Sequence, residues 1–223
     1  MKASYMIKLF GGTLIFYTIL FISAGTINYM QGLVYAAIGF AMLIIQYTVL
    51  RIDPELVIER AKPGEGTLQW DKIILLLSFF LTIAMFVVAG LDSGRYHWSP
   101  EMHPAVFVLG ILLTIAGQLI FLIAQKQNRF FSSTVRIQKD REHTVCETGL
   151  YKFVRHPGYL GTIIQAVGFP MIMGSLWSIL PISLSIILFI IRTDLEDKTL
   201  RLKLNGYTEY SDKTRYKLIP YFW

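Results

Sequence analysis

Two short stretches of the sequence hold residues that could do chemistry at a defined place. The first carries Gly149, Tyr151, Arg155, His156, Pro157, Gly158, Tyr159 and Gly161. Pro157 suits the first turn of a helix, where its missing N–H costs nothing. Such a helix start leaves unsatisfied amide groups and a positive dipole end, which suit a carboxylate or a polarised ligand group. Arg155 and His156 are donors beside it, and Tyr159 falls in the same turn. The same residue types also serve as an interfacial anchor, with arginine snorkelling and tyrosine in an aromatic belt. The second stretch carries Arg192, Asp194, Glu196, Asp197, Lys198 and Leu200. On a helix, Arg192 and Glu196 are i, i+4 neighbours. One reading is a surface ion pair worth well under about 1 kcal/mol. In the other, Arg192 sits near headgroup depth and holds the carboxylate of a membrane-embedded substrate. Glu196, one turn further on, then meets a cationic or hydroxyl-bearing cofactor.

Other chemistries leave no trace. The four histidines (His97, His103, His143, His156) lack paired metal-ligand spacing, and Cys146 is the single cysteine. There is no Gly-x-Gly-x-x-Gly, no Walker loop and no Gly-x-Ser-x-Gly elbow. No metal is expected.

The elements that must position these stretches follow from charge. Of 223 residues, 54% are hydrophobic and 16% charged, against about 25% charged in an average soluble domain. Four runs contain no Asp, Glu, Lys or Arg: Leu9–Leu50, Ile73–Leu91, Pro104–Gln125 and His156–Ile191. A membrane-crossing helix needs about 20 apolar residues, so the short runs hold one span each and the long runs two. This predicts an all-α, polytopic membrane protein with six spans, near 9–27, 33–50, 73–91, 104–125, 159–173 and 176–191. The first break falls at the uncharged turn Asn28–Gly32. Gly168, Pro170, Gly174 and Pro181 interrupt the last run, which reads as a hairpin of two kinked helices. A single re-entrant helix there gives five spans instead. Residues 1–125 form a four-helix membrane region. Residues 126–223 form a core with a cytosolic loop, the hairpin and a C-terminal helix.

Orientation follows from the 21 basic residues. With a cytosolic N-terminus, every one but Arg95 falls in a cytosolic segment, which is a strong positive-inside pattern. It places both termini in the cytosol. The net charge of +6 then faces anionic headgroups, and no nucleic-acid partner is expected. Lys2 and Lys8 before an apolar run resemble a signal peptide ending at Ser23, Ala24 and Gly25. The run is long for one, and more membrane follows, so cleavage is not expected. The 51–72 loop reads as a turn-rich interfacial connector, or as a lid or wall of a substrate groove.

Residues 135–220 resemble the isoprenylcysteine carboxyl methyltransferases and their prokaryotic relatives, which are integral-membrane enzymes using S-adenosylmethionine (SAM). The first block is the Arg-His-Pro-x-Tyr-x-Gly motif at 155–161, preceded by Gly149 and Tyr151. The second runs through Arg192, Glu196, Asp197 and Leu200, then Gly206, Tyr207, Tyr210, Ile219 and Pro220. The first four spans match in kind only. The resemblance implies that SAM is held by Gln138, His143, Thr144, Val145, Cys146, Tyr151, His156, Pro157, Gly158, Tyr159 and Glu196. It implies that Arg192 takes the substrate carboxylate. Gly158 stands where many members carry a larger residue, Asp197 replaces a second glutamate, and Arg215–Leu218 stand where many members have a Val-Pro.

The activity implied is carboxyl methylation of a lipidated or hydrophobic acceptor, such as a C-terminal isoprenylcysteine. The setting is the inner membrane of a prokaryote or the endoplasmic reticulum of a eukaryote, with membrane lipids as neighbours. Three alternatives stay open at this point: a phospholipid amine N-methyltransferase, an NADPH-dependent membrane reductase, and a non-enzymatic membrane protein.

Overall fold

The computed structural model describes residues 3–53, 56–57 and 66–223. Residues 1 and 2 and ten residues of the 51–72 loop (54, 55 and 58–65) lie outside the described residues. Seven helices and no strand occur among the described residues: α1 (Ala3–Ala24), α2 (Met30–Thr48), α3 (Gln69–Ala89), α4 (Pro104–Gln127), α5 (Pro157–Met173), α6 (Ile179–Lys203) and α7 (Tyr207–Lys213). A π-helical turn, Gly90–Tyr96, extends α3. By length and composition, three of these can cross a membrane: Met30–Thr48, Gln69–Tyr96 and Pro104–Gln127. The chain is therefore all-helical and membrane-associated, with large apolar side chains such as Phe79, Phe80, Leu112 and Ile187 on its outside.

The breaks differ from those expected, for local reasons. Gly25, in the left-handed region at φ 73°, ends α1. Arg95 donates from Nη2 to the Ile22 carbonyl at 2.6 Å, capping that helix end. Gly32, expected in the turn, lies inside α2 beneath the Tyr29 ring. Gly168 and Pro170 do not interrupt α5, which ends at Gly174 (φ 65°). Pro181 falls in the first turn of α6, where a missing N–H is tolerated. That helix continues beyond the expected end of the span at 191 to Lys203, which places Arg192 and Glu196 on one helix as expected.

Glycine sets the tightest packing. Gly110 and Gly117 on α4 face Gly168 and Gly161 on α5. A Cβ at Gly161 would lie 2.5 Å from the Gly117 carbonyl oxygen. Small residues at this spacing let two backbones touch, which is the usual route to helix association in lipid. Beside this pair, Phe86 of α3 and Tyr35 of α2 meet Phe169 of α5 edge-on at 5.3 and 5.1 Å. At the end of the bundle away from the motifs, Asp92 is fully buried. It accepts from Ser99 N and Oγ and from Ser175 Oγ, tying the α3 extension to the turn between α5 and α6.

Gly161→Ala is expected to destabilise the chain by about 1–3 kcal/mol, because the added methyl meets backbone. Gly12→Ala, the same change with nothing within 4 Å, is expected to be neutral or stabilising. Melting temperatures in detergent compare the two, and equal shifts would contradict the glycine packing.

Candidate functional site

The two motif stretches meet because α5 and α6 lie side by side. Tyr159, in the first turn of α5, donates to Glu196 Oε2 at 2.5 Å, and its ring lies 5.8 Å from that of Phe189. One charge organises the junction. Asp197 is 2% exposed. Its Oδ1 accepts from Arg155 Nε at 2.7 Å and from Tyr207 Oη at 2.9 Å, with His156 Nε2 at 3.3 Å. Its Oδ2 accepts from Arg155 Nη2 at 3.1 Å and Arg201 Nε at 3.2 Å. Burial pushes the Asp197 carboxyl upward, but hydrogen bonds and charge from His156 and Arg155 outweigh it and hold the group well below the usual carboxylate range. Arg155 also donates from Nη1 to the Thr214 and Arg215 carbonyls. It therefore braces the fold rather than reaching for a ligand. The C-terminal tail completes the brace: the Arg155 and His156 amides donate to the Tyr216 and Lys217 carbonyls.

A second buried charge comes from the other half of the chain. Asp71, in the first turn of α3, is 0% exposed. Its Oδ1 accepts from Arg192 Nε at 2.7 Å and its Oδ2 from the Val135 amide at 2.7 Å. Arg192 Nη2 donates to the Ser133 carbonyl at 2.6 Å. Its guanidinium carbon lies 5.3 Å from the Tyr159 ring centroid. The ion pair of Arg192 thus runs to Asp71 on α3, not to Glu196 one turn along α6.

Between these two braces lies a cavity of about 400 Å3, within the range of small-molecule sites. Gln138, His143, Tyr151, His156, Gly158, Tyr159, Arg192 and Glu196 all line it. Thr144, Val145, Cys146 and Pro157 do not. Thr144 is exposed, Val145 and Cys146 pack towards Leu204 and Tyr207, and Pro157 is buried as the first residue of α5. Gln138 is 2% exposed and holds its loop: Nε2 donates to the Phe130 carbonyl at 2.6 Å, and Oε1 accepts from Arg141 at 2.8 Å. Phe131 explains the small residue at 158, since its ring sits where a Cβ of residue 158 would go. His143 lies against Phe130, centroids 4.5 Å apart. Burial, with the charges of Arg136 and Arg141, lowers its pKa to about 4, so the ring is neutral at pH 7.

Sequence reasoning passed over Asp71, Leu75, Phe130, Phe131 and Arg136, which belong to this site or its walls. Asp71 was findable. With Lys72 it borders the uncharged run Ile73–Leu91, just as Arg192 borders the last one. Of the described residues in 51–72, Asp71 braces Arg192, while Arg51, Asp53 and Leu56 line a separate surface cleft with Lys126, Arg129, Asp140 and Arg141.

Residues 108–202 match the isoprenylcysteine carboxyl methyltransferase family. The chain is 34% identical over 114 residues to protein-S-isoprenylcysteine O-methyltransferase of Saccharomyces cerevisiae, covering 48% of this chain and 46% of that protein. It is 31% identical over 133 residues to the Schizosaccharomyces pombe protein of the same name, covering 52% and 56%. It is 27% identical over 136 residues to a probable protein-S-isoprenylcysteine O-methyltransferase of Oryza sativa subsp. indica, covering 60% and 70%. The matched region thus spans about half the length of the two yeast relatives.

Acid is expected to weaken the fold at this site. His143 binds its proton near pH 4 when folded and near 6.5 when unfolded. Between those values the unfolded chain holds more protons, so the contribution is complete above about pH 6.5 and is lost as pH falls towards 4. Asp197 acts in the same sense at lower pH: its contribution is present above the unfolded carboxyl value of about 3.9 and is lost below it. The melting temperature of His143→Gln should fall less between pH 7 and pH 5 than that of the parent chain. Identical slopes would contradict the buried, neutral His143.

Proposed function

We propose that this chain, a member of the isoprenylcysteine carboxyl methyltransferase family over residues 108–202, is a SAM-dependent enzyme that methylates the carboxylate of a lipidated or hydrophobic acceptor. We further propose six spans, with α5 and α6 as the last hairpin and both termini in the cytosol. Residues 126–223 act as the SAM-binding core beside a membrane region, 1–125. The 20-to-1 division of basic residues supports that topology. The observation that carries the activity is the cavity bounded by both motif edges, with Glu196 and Arg192 on one wall.

The cavity fits the donor. It combines aromatic surfaces (Phe130, Phe131, Tyr151), which suit a planar base, with a carboxylate, Glu196, which suits an ammonium or a sulfonium. SAM, when bound, supplies an electrophilic methyl group on a positively charged sulfur. Gln138, His143, Tyr151, His156, Gly158, Tyr159 and Glu196 would hold it, with Thr144, Val145, Cys146 and Pro157 shaping the segments behind them. Tyr159 fixes Glu196 by its hydrogen bond.

Arg192 would hold the acceptor. A guanidinium has five N–H donors. Asp71 takes Nε and Ser133 takes one donor of Nη2, which orients the group and leaves Nη1 to grip a carboxylate. That carboxylate is ionised near pH 7 and needs no general base, in keeping with the neutral His143. Leu75 and Phe189 offer an apolar side to an acceptor arriving from the bilayer.

On detergent-purified protein, Glu196→Gln is expected to weaken S-adenosylhomocysteine binding by tenfold or more, read by calorimetry. Unchanged affinity would contradict the cofactor role. Arg192→Lys, which keeps a charge beside buried Asp71, is expected to preserve that affinity. It should also raise the KM for a farnesylated cysteine by tenfold or more. Methyl label released by alkali marks an ester. Alkali-stable label on lipid amines would overturn the carboxylate reading.

A further inference from the structure

The cavity holds three arginines, and two of them are already committed. Arg155 serves Asp197 and the tail, and Arg192 serves Asp71 and Ser133. Arg136 differs. Its side chain is 9% exposed and lines the same cavity. Its Nη1 donates to Asp140 at 3.0 Å, while its Nε is buried and has no hydrogen-bond partner among the described residues. A buried donor without an acceptor is costly, and more so in a charged group. The arrangement calls for an acceptor supplied by something that enters the cavity.

Position narrows the choice. Arg136 stands on the 128–143 loop near Gln138 and His143, and its partner Asp140 is 58% exposed. This is the solvent-facing, polar part of the lining. Arg192, by contrast, sits on α6 near Phe189, with Tyr159 of α5 and Asp71 of α3 against it. A polar anion therefore suits Arg136 and an amphiphilic one suits Arg192. Resting on the donor reading above, we propose that Arg136 binds the α-carboxylate of the methyl donor through the guanidinium edge that carries Nε. The amino-acid end of the donor carries one carboxylate and one ammonium. Arg136 answers the first, and Glu196 answers the positive charge.

The test uses the full chain in detergent and two ligands that share adenosine and a thioether. S-adenosylhomocysteine carries the amino-acid end, and 5′-methylthioadenosine lacks it. Arg136→Gln is expected to weaken S-adenosylhomocysteine by tenfold to hundredfold and to leave methylthioadenosine within about twofold. Arg136→Lys, which keeps the charge, should recover part of the loss and decides the matter if the glutamine variant fails to fold. Equal weakening of both ligands, or no weakening of either, overturns the assignment to Arg136. Failure of the parent chain to bind S-adenosylhomocysteine overturns the donor reading itself, and the assignment with it.

Discussion

A single carboxylate, buried where water cannot reach it, holds the site together. An isolated ion in such surroundings costs several kcal/mol, so Asp197 must be surrounded by donors. Those donors come from three places in the chain: Arg155 and His156 before α5, Arg201 along α6, and Tyr207 in α7. Satisfying one charge therefore brings the Arg-His-Pro edge against the end of the last long helix. Tyr159, one turn on from His156, and Glu196, the residue before Asp197, meet as a consequence. Removing the carboxylate would leave Arg155 as the uncompensated ion, so the parts of the junction stand or fall together.

The second constraint reaches across the whole chain. Asp71 lies outside the family match at 108–202, yet it binds Arg192 and the Val135 amide. The N-terminal helices are thus more than a membrane support, because they set the direction of the arginine proposed to grip the acceptor. The glycine contact between α4 and α5 acts in the same sense. It fixes how closely the helix that begins at the motif approaches the helix that leads into the 128–143 loop. Phe131 on that loop can cover Gly158 only because the two are held so near.

The sequence made some of this legible and hid the rest for physical reasons. Helix existence was readable, because uncharged runs in a membrane protein have few other ways to satisfy their backbone. Helix ends were less so. Gly32, Gly168 and Pro170 looked like punctuation, yet two glycines pack against neighbours and the proline is carried inside α5. Within one chain, a packing glycine and a turning glycine read alike. Eight of the twelve site residues implied by the family resemblance line one cavity. The roles were harder to read. Arg155 looked like a ligand donor and is a brace, and although Asp71 marks the border of a run, its pairing with Arg192 could not be read, because the two lie 121 residues apart. Pairings over such separations are set by packing, not by local pattern.

The most direct measurement is a structure of the detergent-solubilised full chain with S-adenosylhomocysteine. The ligand is expected in the cavity between the 128–143 loop and Glu196, with Arg192 still paired to Asp71 and Arg155 still paired to Asp197. A ligand bound outside that cavity, or an Arg192 drawn away from Asp71 to reach it, would contradict the site described.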